Sequence, residues 1–339
     1  MQERLLIGCN GRGAMHGAEP AVEEQFRLVH ETGAFDYFDR LPQPDQVDEY
    51  VRCSEKYSLP IHTVTWYYLL GRDEPLIEQN LDIAALVNAK IHNVMIFTRH
   101  ADGHVISDDD IAEWYLRIWD SAGRRGLEPS FELHVNMWSE DFRRVESVND
   151  KVSRRGVPFN FTLDYSHVIF KIENPEEQDA CGIREDVESG ALILDPFEEG
   201  SLCERWLNLG IVTWAQMRPA APNGPKNIWV KDEAGNPGRG IQYPFMRPKT
   251  GEWHSPWYAY KLEPTKEAMR KILRHHLVND SSRLRYITTE MINLPDYGMN
   301  ARYSLIEHNA ACAQWIRQTW ARLQAERDAI DSKATAKVA

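Results

Sequence analysis

Residues 91–135 of the chain, IHNVMIFTRHADGHVISDDDIAEWYLRIWDSAGRRGLEPSFELHV, contain one complete strand–helix–strand unit. The unit begins with the apolar run Ile91–Thr98, which has the length of a buried strand. Asp108–Arg125 follows with helical apolar spacing, and a serine before it and a glycine after it are common signals for helix ends. A second apolar run, Ser130–Val135, completes the unit and predicts two parallel strands joined by a helix.

The same alternation continues along most of the chain. Strands are predicted at Leu5–Asn10, Phe35–Asp39, Ile61–Trp66, Ile91–Thr98, Ser130–Val135, Phe159–Asp164, Ile211–Arg218 and Arg285–Ile292. Helices are predicted at Pro20–Glu31, Pro44–Tyr57, Leu76–Ala89, Asp108–Arg125, Asp141–Arg154 and Thr265–Leu277. Eight strands that alternate with helices favour a closed parallel barrel, because open doubly wound sheets usually have fewer strands. The sequence therefore predicts an α/β protein whose single (β/α)8 TIM barrel spans residues 1–330.

Two predicted connections, at about 173–209 and 219–264, are longer than a barrel needs. The second is an extended loop after the seventh strand, rich in proline, glycine and aromatic residues, so it is expected on the face where barrel active sites form. We interpret it as a lid or substrate wall, with packing at a subunit interface as the alternative. A C-terminal helix is expected at Leu305–Ile330, and residues 331–339 are expected to form a disordered tail.

Charge and composition exclude several classes of protein. The 339 residues include 39 Lys and Arg against 51 Asp and Glu, and the net charge of −12 opposes nucleic-acid binding, which needs clustered basic residues. No apolar run reaches the roughly 18 residues of a membrane span, and the first apolar stretch is too short for a signal peptide. Five cysteines without CxxC spacing indicate neither a disulfide framework nor a zinc site. The sequence predicts a cytoplasmic protein without nucleic-acid or membrane partners.

The end of the first predicted strand is rich in glycine, and residues 8–17 read GCNGRGAMHG. A dinucleotide-binding GxGxxG fingerprint that starts at Gly11 would need glycine in place of His16, although Asp36 or Asp39 lies at a tolerable distance for a ribose contact. The stretch is interpreted instead as a tight strand-to-helix turn at the mouth of the barrel, where glycine supplies backbone freedom.

Polar side chains interrupt four of the apolar strands near their ends. These residues are Glu132, Asp164, Gln216 and Glu290. Buried carboxylates carry a heavy desolvation cost unless they are paired or bind a metal, so their position on several strands indicates a shared cation. Oxygen ligands of this kind favour one divalent ion, with Mn²⁺ as the first choice and Mg²⁺ or Co²⁺ as alternatives. The other interpretation is that each carboxylate forms its own salt bridge with an arginine or lysine.

Residues 164–167, DYSH, match a DxxH motif, and together with Glu132 and Glu290 they resemble the xylose-isomerase-like TIM-barrel superfamily of sugar isomerases and epimerases. The resemblance covers nearly the whole chain. It implies that Asp164 binds metal and that His167 faces the substrate. It also implies that the two glutamates bind metal and act as acid and base on either side of the substrate.

The seventh strand departs from the pattern of this superfamily. Many members have H-x-H where this chain has Trp214-Ala215-Gln216, so Gln216 replaces the usual histidine ligand. An amide oxygen can still bind metal, and glutamine here is similar to what hydroxypyruvate isomerases and some 3-dehydroshikimate dehydratases show. The resemblance implies that Arg218 holds a substrate oxygen, and an exposed loop arginine is the alternative.

Four further residues are predicted to contribute to the pocket. His134 lies two residues after Glu132, on the same strand face if the strand continues. His62, Trp66 and His100 lie near the ends of the third and fourth predicted strands, where barrel enzymes place their active sites.

The resemblance implies a metal-dependent sugar or keto-sugar isomerase or epimerase, in which a glutamate removes an α-proton and the metal stabilises the enediolate. A lyase or dehydratase acting by β-elimination on a keto-sugar, a 3-keto-glycoside or a 3-dehydroshikimate-like compound is the alternative. A non-catalytic binding barrel is a second alternative, and the negative charge disfavours an apurinic-site endonuclease. The expected partner is a small carbohydrate-like molecule, and the chain is expected to form a homo-oligomer.

Overall fold

The computed structural model describes residues 4–338 and the side chains of residues 4–332, so residues 1–3 of the predicted barrel domain and Ala339 of the predicted tail lie outside it. The barrel strands are β1 (Leu6–Asn10), β2 (Tyr37–Asp39), β3 (Ile61–Tyr68), β4 (Ile91–Ile96), β5 (Glu128–Glu132), β6 (Phe161–Asp164), β7 (Val212–Met217) and β10 (Tyr286–Thr289). They form a closed parallel barrel in the order β1-β10-β7-β6-β5-β4-β3-β2. The predicted (β/α)8 TIM barrel is confirmed.

Helices cover the outside of the barrel and fill its longer connections. They are α1 (Val22–Glu31), α2 (Val47–Tyr57), α3 (Glu74–Leu86), α4 (Asp108–Gly123), α5 (Arg143–Ser153), α6 (Ser166–Ile169), α7 (Pro175–Ala180), α8 (Arg184–Glu188), α9 (Leu202–Asn208), α10 (Glu263–Val278) and α11 (Leu305–Val338). Ser107 and Asp110 form a reciprocal capping box that starts α4, as its sequence predicted. Among the described residues, no helix is both long and apolar enough to cross a membrane.

Two of the predicted strands, β5 and β10, end three residues earlier than expected, and this affects the position of site residues. The prediction extended β5 to Val135, but Ser139 donates to the Glu132 carbonyl at 2.6 Å and accepts from the His134 amide at 3.1 Å. A side chain thus bonds two backbone groups just where the strand ends. β10 ends at Thr289, which leaves Glu290 as the first residue after the strand.

The long connections contain more regular structure than the sequence indicated. Helices α7, α8 and α9 lie within residues 173–209. The connection 219–264 contains an antiparallel hairpin of β8 (Asn227–Lys231) and β9 (Pro237–Gly238). At the other end of the chain, α11 continues to Val338, so residues 331–338 are helical rather than disordered. Alanine and lysine recur in this segment and have high helix propensity, which favours continuation.

The amino end of the barrel interior is filled by large side chains. Tyr37, Ile91, Trp214 and Tyr286 form one buried cluster, with the half-buried Leu6 packed against it. Trp214 Nε1 donates to Thr288 Oγ1 at 3.1 Å, and the Tyr37 hydroxyl donates to the Ile287 carbonyl at 2.9 Å. A second, larger core lies between the strands and the helices. The barrel is therefore closed at its amino end, and space for a ligand lies at the carboxyl end.

Candidate active site

A cavity of about 330 Å³ opens at the carboxyl ends of the barrel strands. Its lining includes the carboxylates Asp39, Glu132 and Glu290, the arginines Arg12, Arg40 and Arg218, and the aromatic residues Trp66, Tyr67, Phe97 and Tyr297. The volume is at the lower end of the range for small-molecule sites, and this end of a barrel is where enzymes of the fold class build their active sites.

Three carboxylates that the sequence predicted for the site meet at the bottom of this cavity, where Glu132 and Glu290 line it and Asp164 lies directly behind them. Glu132 is the last residue of β5, Asp164 is the last residue of β6, and Glu290 follows β10 directly. One oxygen from each carboxylate lies within 4.8 Å of the other two, and all three residues are buried. Like charges this close in a buried site repel one another unless a cation or bound protons compensate them.

Arg218 reaches into this cluster and is fully buried, so the alternative of an exposed loop arginine is wrong. Its Nη2 atom lies 2.6 Å from Glu290 Oε2 and 3.2 Å from Asp164 Oδ2. Its Cζ atom lies 4.1 Å from the centroid of the Tyr297 ring, in a cation–π contact. One arginine is therefore shared by two carboxylates, which differs from the interpretation of a separate salt bridge for each.

The three carboxyl groups differ in their pKa values. Burial, together with the Glu290 and Asp164 carboxylates, raises the pKa of Glu132 well above its usual value. Burial also raises the pKa of Glu290, although Arg218 opposes the shift. Burial acts in the same direction on Asp164, but His167 and Arg218 outweigh it and hold the pKa of Asp164 well below its usual range. Without a further cation, the two glutamates therefore favour their protonated forms.

The residues of the cavity floor fit one divalent cation that prefers oxygen ligands. Three ionised carboxylates and one guanidinium leave two negative charges, which a single divalent ion balances. Gln216 lies at the same level, because β7 pairs it with Asp164 on β6 and with Thr288 on β10. Both amide atoms of Gln216 are buried, and neither has a hydrogen-bond partner among the described residues. A buried amide oxygen without a partner is suited to be a fourth ligand.

Two predicted histidines lie in contact beside Asp164. His167 Nε2 is 3.2 Å from Asp164 Oδ2, and the centroids of the His134 and His167 rings are 4.5 Å apart. His134 lines the cavity, whereas His167 is outside the lining and contacts the carboxylate from the protein side. His167 thus lies behind the cavity lining, as Asp164 does, with one ring nitrogen within 4.8 Å of a Glu132 oxygen, and its role toward the substrate stays a prediction. Burial and the neighbouring His167 lower the pKa of His134 to about 3, so His134 is neutral at physiological pH.

Tyr297, in the loop after β10, was not predicted from the sequence and fixes the orientation of His134. His134 Nδ1 donates to the Val135 carbonyl at 2.7 Å. The Nε2 atom of the neutral ring is then an acceptor, and the Tyr297 hydroxyl donates to it at 2.9 Å. Because Tyr297 lies in an irregular segment, no apolar periodicity or strand end marked it in the sequence.

The structure does not bring His62 or His100 to the cavity, contrary to expectation. His62 lies near the start of β3, and its ring centroid is 5.4 Å from those of Tyr37 and Tyr286 at the closed end of the barrel. His100 lies in the loop after β4, where its Nδ1 atom is 3.1 Å from Asp102 Oδ1. The sequence placed His62 in the correct strand but at the wrong end of it.

An aromatic wall forms one side of the cavity, and it includes the predicted residue Trp66. The rings of Trp66 and Tyr67 are stacked with centroids 5.4 Å apart, and Phe97 meets Tyr67 edge to face at 5.8 Å. Tyr67 is half exposed at the mouth. Flat ring faces of this kind can pack against the C–H groups of a sugar-like ligand.

Asp39 is a fourth carboxylate at the cavity, and from the sequence it was a candidate only for a disfavoured ribose contact. It is the last residue of β2 and is fully buried. Neither of its oxygens has a partner with hydrogen-bond geometry in the described part of the chain. Burial raises its pKa to about 7, and the neighbouring Thr63 and Thr288 hydroxyls oppose this shift without reversing it. The signal was present in the sequence, because Asp39 ends its strand as Asp164 does.

The connection 219–264 does not line the described cavity, which corrects its interpretation as a substrate wall. It supports the loop after β10 instead. Ile241 packs in a small buried cluster with Tyr297. Asn227 Nδ2 donates to the carbonyl oxygens of Pro295 and Tyr297, each at 3.1 Å. The insertion therefore holds in place the segment that carries Tyr297.

No protein-family model and no curated protein sequence matches the chain. Solved structures do match it. The chain is similar to a D-allulose 3-epimerase from Methylomonas sp., with 12% identity, coverage of 94% of this chain and 99% of that chain, and a TM-score of 0.55. It is similar to the probable 3-DHS dehydratase AsbF from Bacillus anthracis, with 13% identity, coverage of 91% and 98%, and a TM-score of 0.54.

A third similar structure is a xylose isomerase-like TIM barrel protein from Mycobacterium smegmatis in complex with magnesium. It has 15% identity, coverage of 94% of this chain and 97% of that chain, and a TM-score of 0.54. Because these identities are low, the similarities establish the fold alone. The chain has the xylose-isomerase-like TIM-barrel fold that its sequence resembled, and its structural neighbours include sugar epimerases and isomerases.

Proposed function

We propose that the protein isomerises or epimerises a carbohydrate-like substrate by moving a proton at the carbon next to a carbonyl group, with one divalent cation as cofactor and Mn²⁺ as the first choice. The observation that carries this proposal is the buried cluster of Glu132, Asp164 and Glu290 at the floor of the cavity. Carboxyl groups with raised pKa values are suited to exchange protons near neutral pH. A D-allulose 3-epimerase of the same fold, solved in complex with D-allulose, supports the substrate class.

The two glutamates approach the cavity from different sides, because β5 and β10 are three strands apart around the barrel. One of them accepts the α-proton, and the other returns a proton to the substrate. Return to the opposite face of the same carbon gives an epimer, and return to the neighbouring carbon gives an isomer. A divalent ion held by Glu132, Asp164, Gln216 and Glu290 would supply Lewis-acid polarisation of the carbonyl group.

Arg218 and the cavity walls position the substrate. Arg218 Nη1 is buried without a hydrogen-bond partner among the described residues, so it has a free donor for a substrate oxygen. His134 Nε2 is occupied by the Tyr297 hydroxyl, so His134 acts as a rigid wall rather than as a base. Trp66 and Tyr67 offer apolar faces to the carbon skeleton.

A lyase or dehydratase is the second candidate, acting on a keto-sugar, a 3-keto-glycoside or a 3-dehydroshikimate-like compound. Asp39 is the observation that favours it, because this fourth buried carboxyl group, with a pKa raised to about 7, can protonate a leaving hydroxyl. The proton removed first is the same as in the isomerase. The probable dehydratase AsbF has the same fold. A non-catalytic binding barrel is the remaining alternative, and the cytoplasmic location and the homo-oligomer stay predictions.

Cation binding is tested on purified protein by elemental analysis and by thermal unfolding with and without Mn²⁺, Mg²⁺ or Co²⁺. A bound ion should raise the melting temperature, because it binds the native state. Gln216→His should retain the ion, since imidazole is also a good ligand, whereas Gln216→Ala should weaken its binding. If none of the three ions binds, the proposed cofactor is wrong. If Gln216→Ala binds as the wild type does, Gln216 is not a ligand.

Proton transfer is tested by screening ketoses, keto acids and 3-keto-glycosides that carry deuterium at the α-carbon. The wild type should release deuterium to solvent, and Glu132→Gln or Glu290→Gln should slow this release by about 10²- to 10⁴-fold. Cation content is measured in parallel, and Glu113→Gln, an exposed substitution on α4, serves as the control. A product that retains all of its α-deuterium, without an isotope effect, would contradict the carboxylate base and favour hydride transfer between neighbouring carbons.

A further inference from the structure

The glycine-rich turn after β1 brings an arginine to the cavity. Gly11–Ala14 form a single 3-10 turn at the carboxyl end of the strand. Asn10 Oδ1 accepts a hydrogen bond from the Arg12 amide at 2.9 Å, while Asn10 Nδ2 donates to Glu290 Oε1 at 3.2 Å. Asn10 thus connects the turn to the carboxylate cluster, and the Arg12 side chain lines the cavity.

Close packing explains the two glycines on either side of Arg12. A Cβ atom at Gly11 would lie 2.7 Å from the Phe38 ring, and one at Gly13 would lie 2.4 Å from Asn309 Nδ2. Both distances are shorter than a carbon atom tolerates, so the turn fits only with glycine at these positions. The packing fixes the backbone of the turn and therefore the point from which Arg12 extends.

Arg12 differs from the other two arginines of the cavity because it has no acidic partner. Arg218 is paired within the carboxylate cluster, and Arg40 pairs with Glu19 and donates to Gln25 Oε1 at 2.8 Å. No ion pair joins the Arg12 guanidinium to a carboxylate in the described part of the chain, and the carboxylate that acts on it from a distance, Glu19, is bound to Arg40. Burial and the neighbouring Arg40 lower the pKa of Arg12, and the Glu19 carboxylate offsets this shift only in part.

The place of Arg12 in the barrel separates it from one of the two glutamates proposed to exchange protons, Glu132. β1 lies opposite β5 in the ring of eight strands, so Arg12 is across the mouth from Glu132. Gln43 and Gln46 line the cavity as well and offer amide groups to a ligand. An anion next to the three carboxylates would be repelled, whereas an anion at Arg12 would compensate an unpaired charge.

We propose that Arg12 binds an anionic group of the substrate, so that the protein acts on a sugar derivative bearing a carboxylate or a phosphate rather than on a neutral sugar. The planar guanidinium suits both groups, because each can accept two parallel hydrogen bonds. This inference takes the reaction from the proposed function and further specifies that the substrate carries a negative charge. The glycine-rich stretch then serves to present an anion-binding arginine.

The test measures binding without turnover, by calorimetry on protein freed of metal and at low ionic strength. The probes are D-gluconate, D-glucitol 6-phosphate and neutral D-glucitol, which share a carbon skeleton and differ in charge. The wild type should bind at least one of the anions about tenfold or more tightly than D-glucitol. Arg12→Gln should remove this preference, a loss of roughly ten- to a hundredfold, and leave the affinity for D-glucitol unchanged. Arg12→Lys should retain part of it.

Arg117→Gln is the matched control, because Arg117 is an exposed arginine on α4 that packs on Trp114. It should leave all three affinities unchanged. A preference for D-gluconate alone indicates a sugar acid as the substrate, and a preference for D-glucitol 6-phosphate alone indicates a sugar phosphate. A wild type that binds the anions no better than D-glucitol, or an Arg12→Gln variant that is folded and keeps the preference, would overturn the proposal. Anion binding through Arg12 in a protein that never exchanges deuterium would overturn the proposed function and leave this inference standing.

Discussion

Along β2 and β7, the buried polar side chains at the two ends of the barrel interior differ in whether they have hydrogen-bond partners. At the amino end, Trp214 Nε1 and the Tyr37 hydroxyl both donate hydrogen bonds within a packed aromatic cluster. At the carboxyl end, the side-chain oxygens of Asp39 and the amide of Gln216 are buried and have no hydrogen-bond partner among the described residues. Both sets of side chains extend from the same parallel strands, only a few residues apart.

This difference indicates that the amino end of each strand contributes mainly to stability and the carboxyl end mainly to function. A buried polar group without a partner costs about 1–3 kcal/mol, so several of them at one place destabilise the native state unless a ligand completes their bonds. The packed amino end supplies the stability that compensates this cost. The carboxyl end is then available for groups that bind and react. Replacing a hydrogen-bonded group at the amino end and replacing an unpartnered group at the carboxyl end should therefore have opposite effects on stability.

The largest expected effect on stability is at the closed end. Trp214→Ala removes a buried indole and its hydrogen bond to Thr288, and it should lower the free energy of unfolding by about 3–5 kcal/mol. In protein freed of divalent ions, Gln216→Leu, two residues later on the same strand, should be neutral or stabilising, because an apolar side chain replaces an amide without partners. Urea unfolding of both variants measures the contrast. A larger loss in Gln216→Leu than in Trp214→Ala would contradict the comparison.

Asp39 should make stability depend on pH in a defined direction. Its pKa in the folded protein, about 7, is above its ordinary value of 3.8, so the folded state holds the proton more tightly. The stabilisation is fully present below about pH 4 and is lost as the pH rises through 7. Cys9, Tyr37 and Glu290 are the titratable neighbours that feel the Asp39 charge.

Asp39→Asn isolates this contribution from those of the other buried carboxyl groups. The variant should gain roughly 2–4 kcal/mol over the wild type between pH 4 and pH 8, because the amide never ionises. Urea unfolding of both proteins across this range measures the difference, and Asp109→Asn, an exposed substitution on α4, is the control. Curves for wild type and Asp39→Asn that stay parallel would show that Asp39 does not titrate in this range.

The sequence predicted the features that depend on local pattern. Strand length, helix spacing and capping signals are short-range, and they were sufficient for the eight-strand barrel and for the acidic residues at the ends of β5 and β6. Strand ends were less certain, because a side chain such as Ser139 can replace the next ladder bond. His62 was misplaced for a related reason. A residue near the start of a strand lies at the amino end of the barrel, and a residue near its end lies at the carboxyl end.

Features formed by distant parts of the chain were not predictable. The partner of Arg218 is Glu290, which lies 72 residues away and meets it only when β7 and β10 pair. Tyr297 binds His134 across 163 residues from an irregular loop that has no periodic pattern. Such contacts depend on the closed barrel, so a single sequence contains no local signal for them.

The smallest expected effect on stability comes from removing a single tyrosine hydroxyl at each end of the barrel. The two removals are also the clearest test of whether the amino end serves stability and the carboxyl end serves function. Tyr37→Phe removes the donor to the Ile287 carbonyl, and Tyr297→Phe removes the donor to His134 Nε2. Each should cost about 0.5–1.5 kcal/mol of unfolding free energy, since each loses one buried hydrogen bond.

The two variants should nevertheless differ at the site. Tyr297→Phe leaves His134 Nε2 without its donor, so the nitrogen NMR shifts of His134 should change and deuterium release from the substrate should fall. Tyr37→Phe should alter neither, because its hydroxyl lies in the packed cluster at the closed end of the barrel. The ring of Tyr297→Phe still covers Arg218, which keeps the cation–π contact and restricts the change to the hydroxyl. If both variants slow deuterium release equally, the two ends are coupled, and stability and function are not separated along the strands.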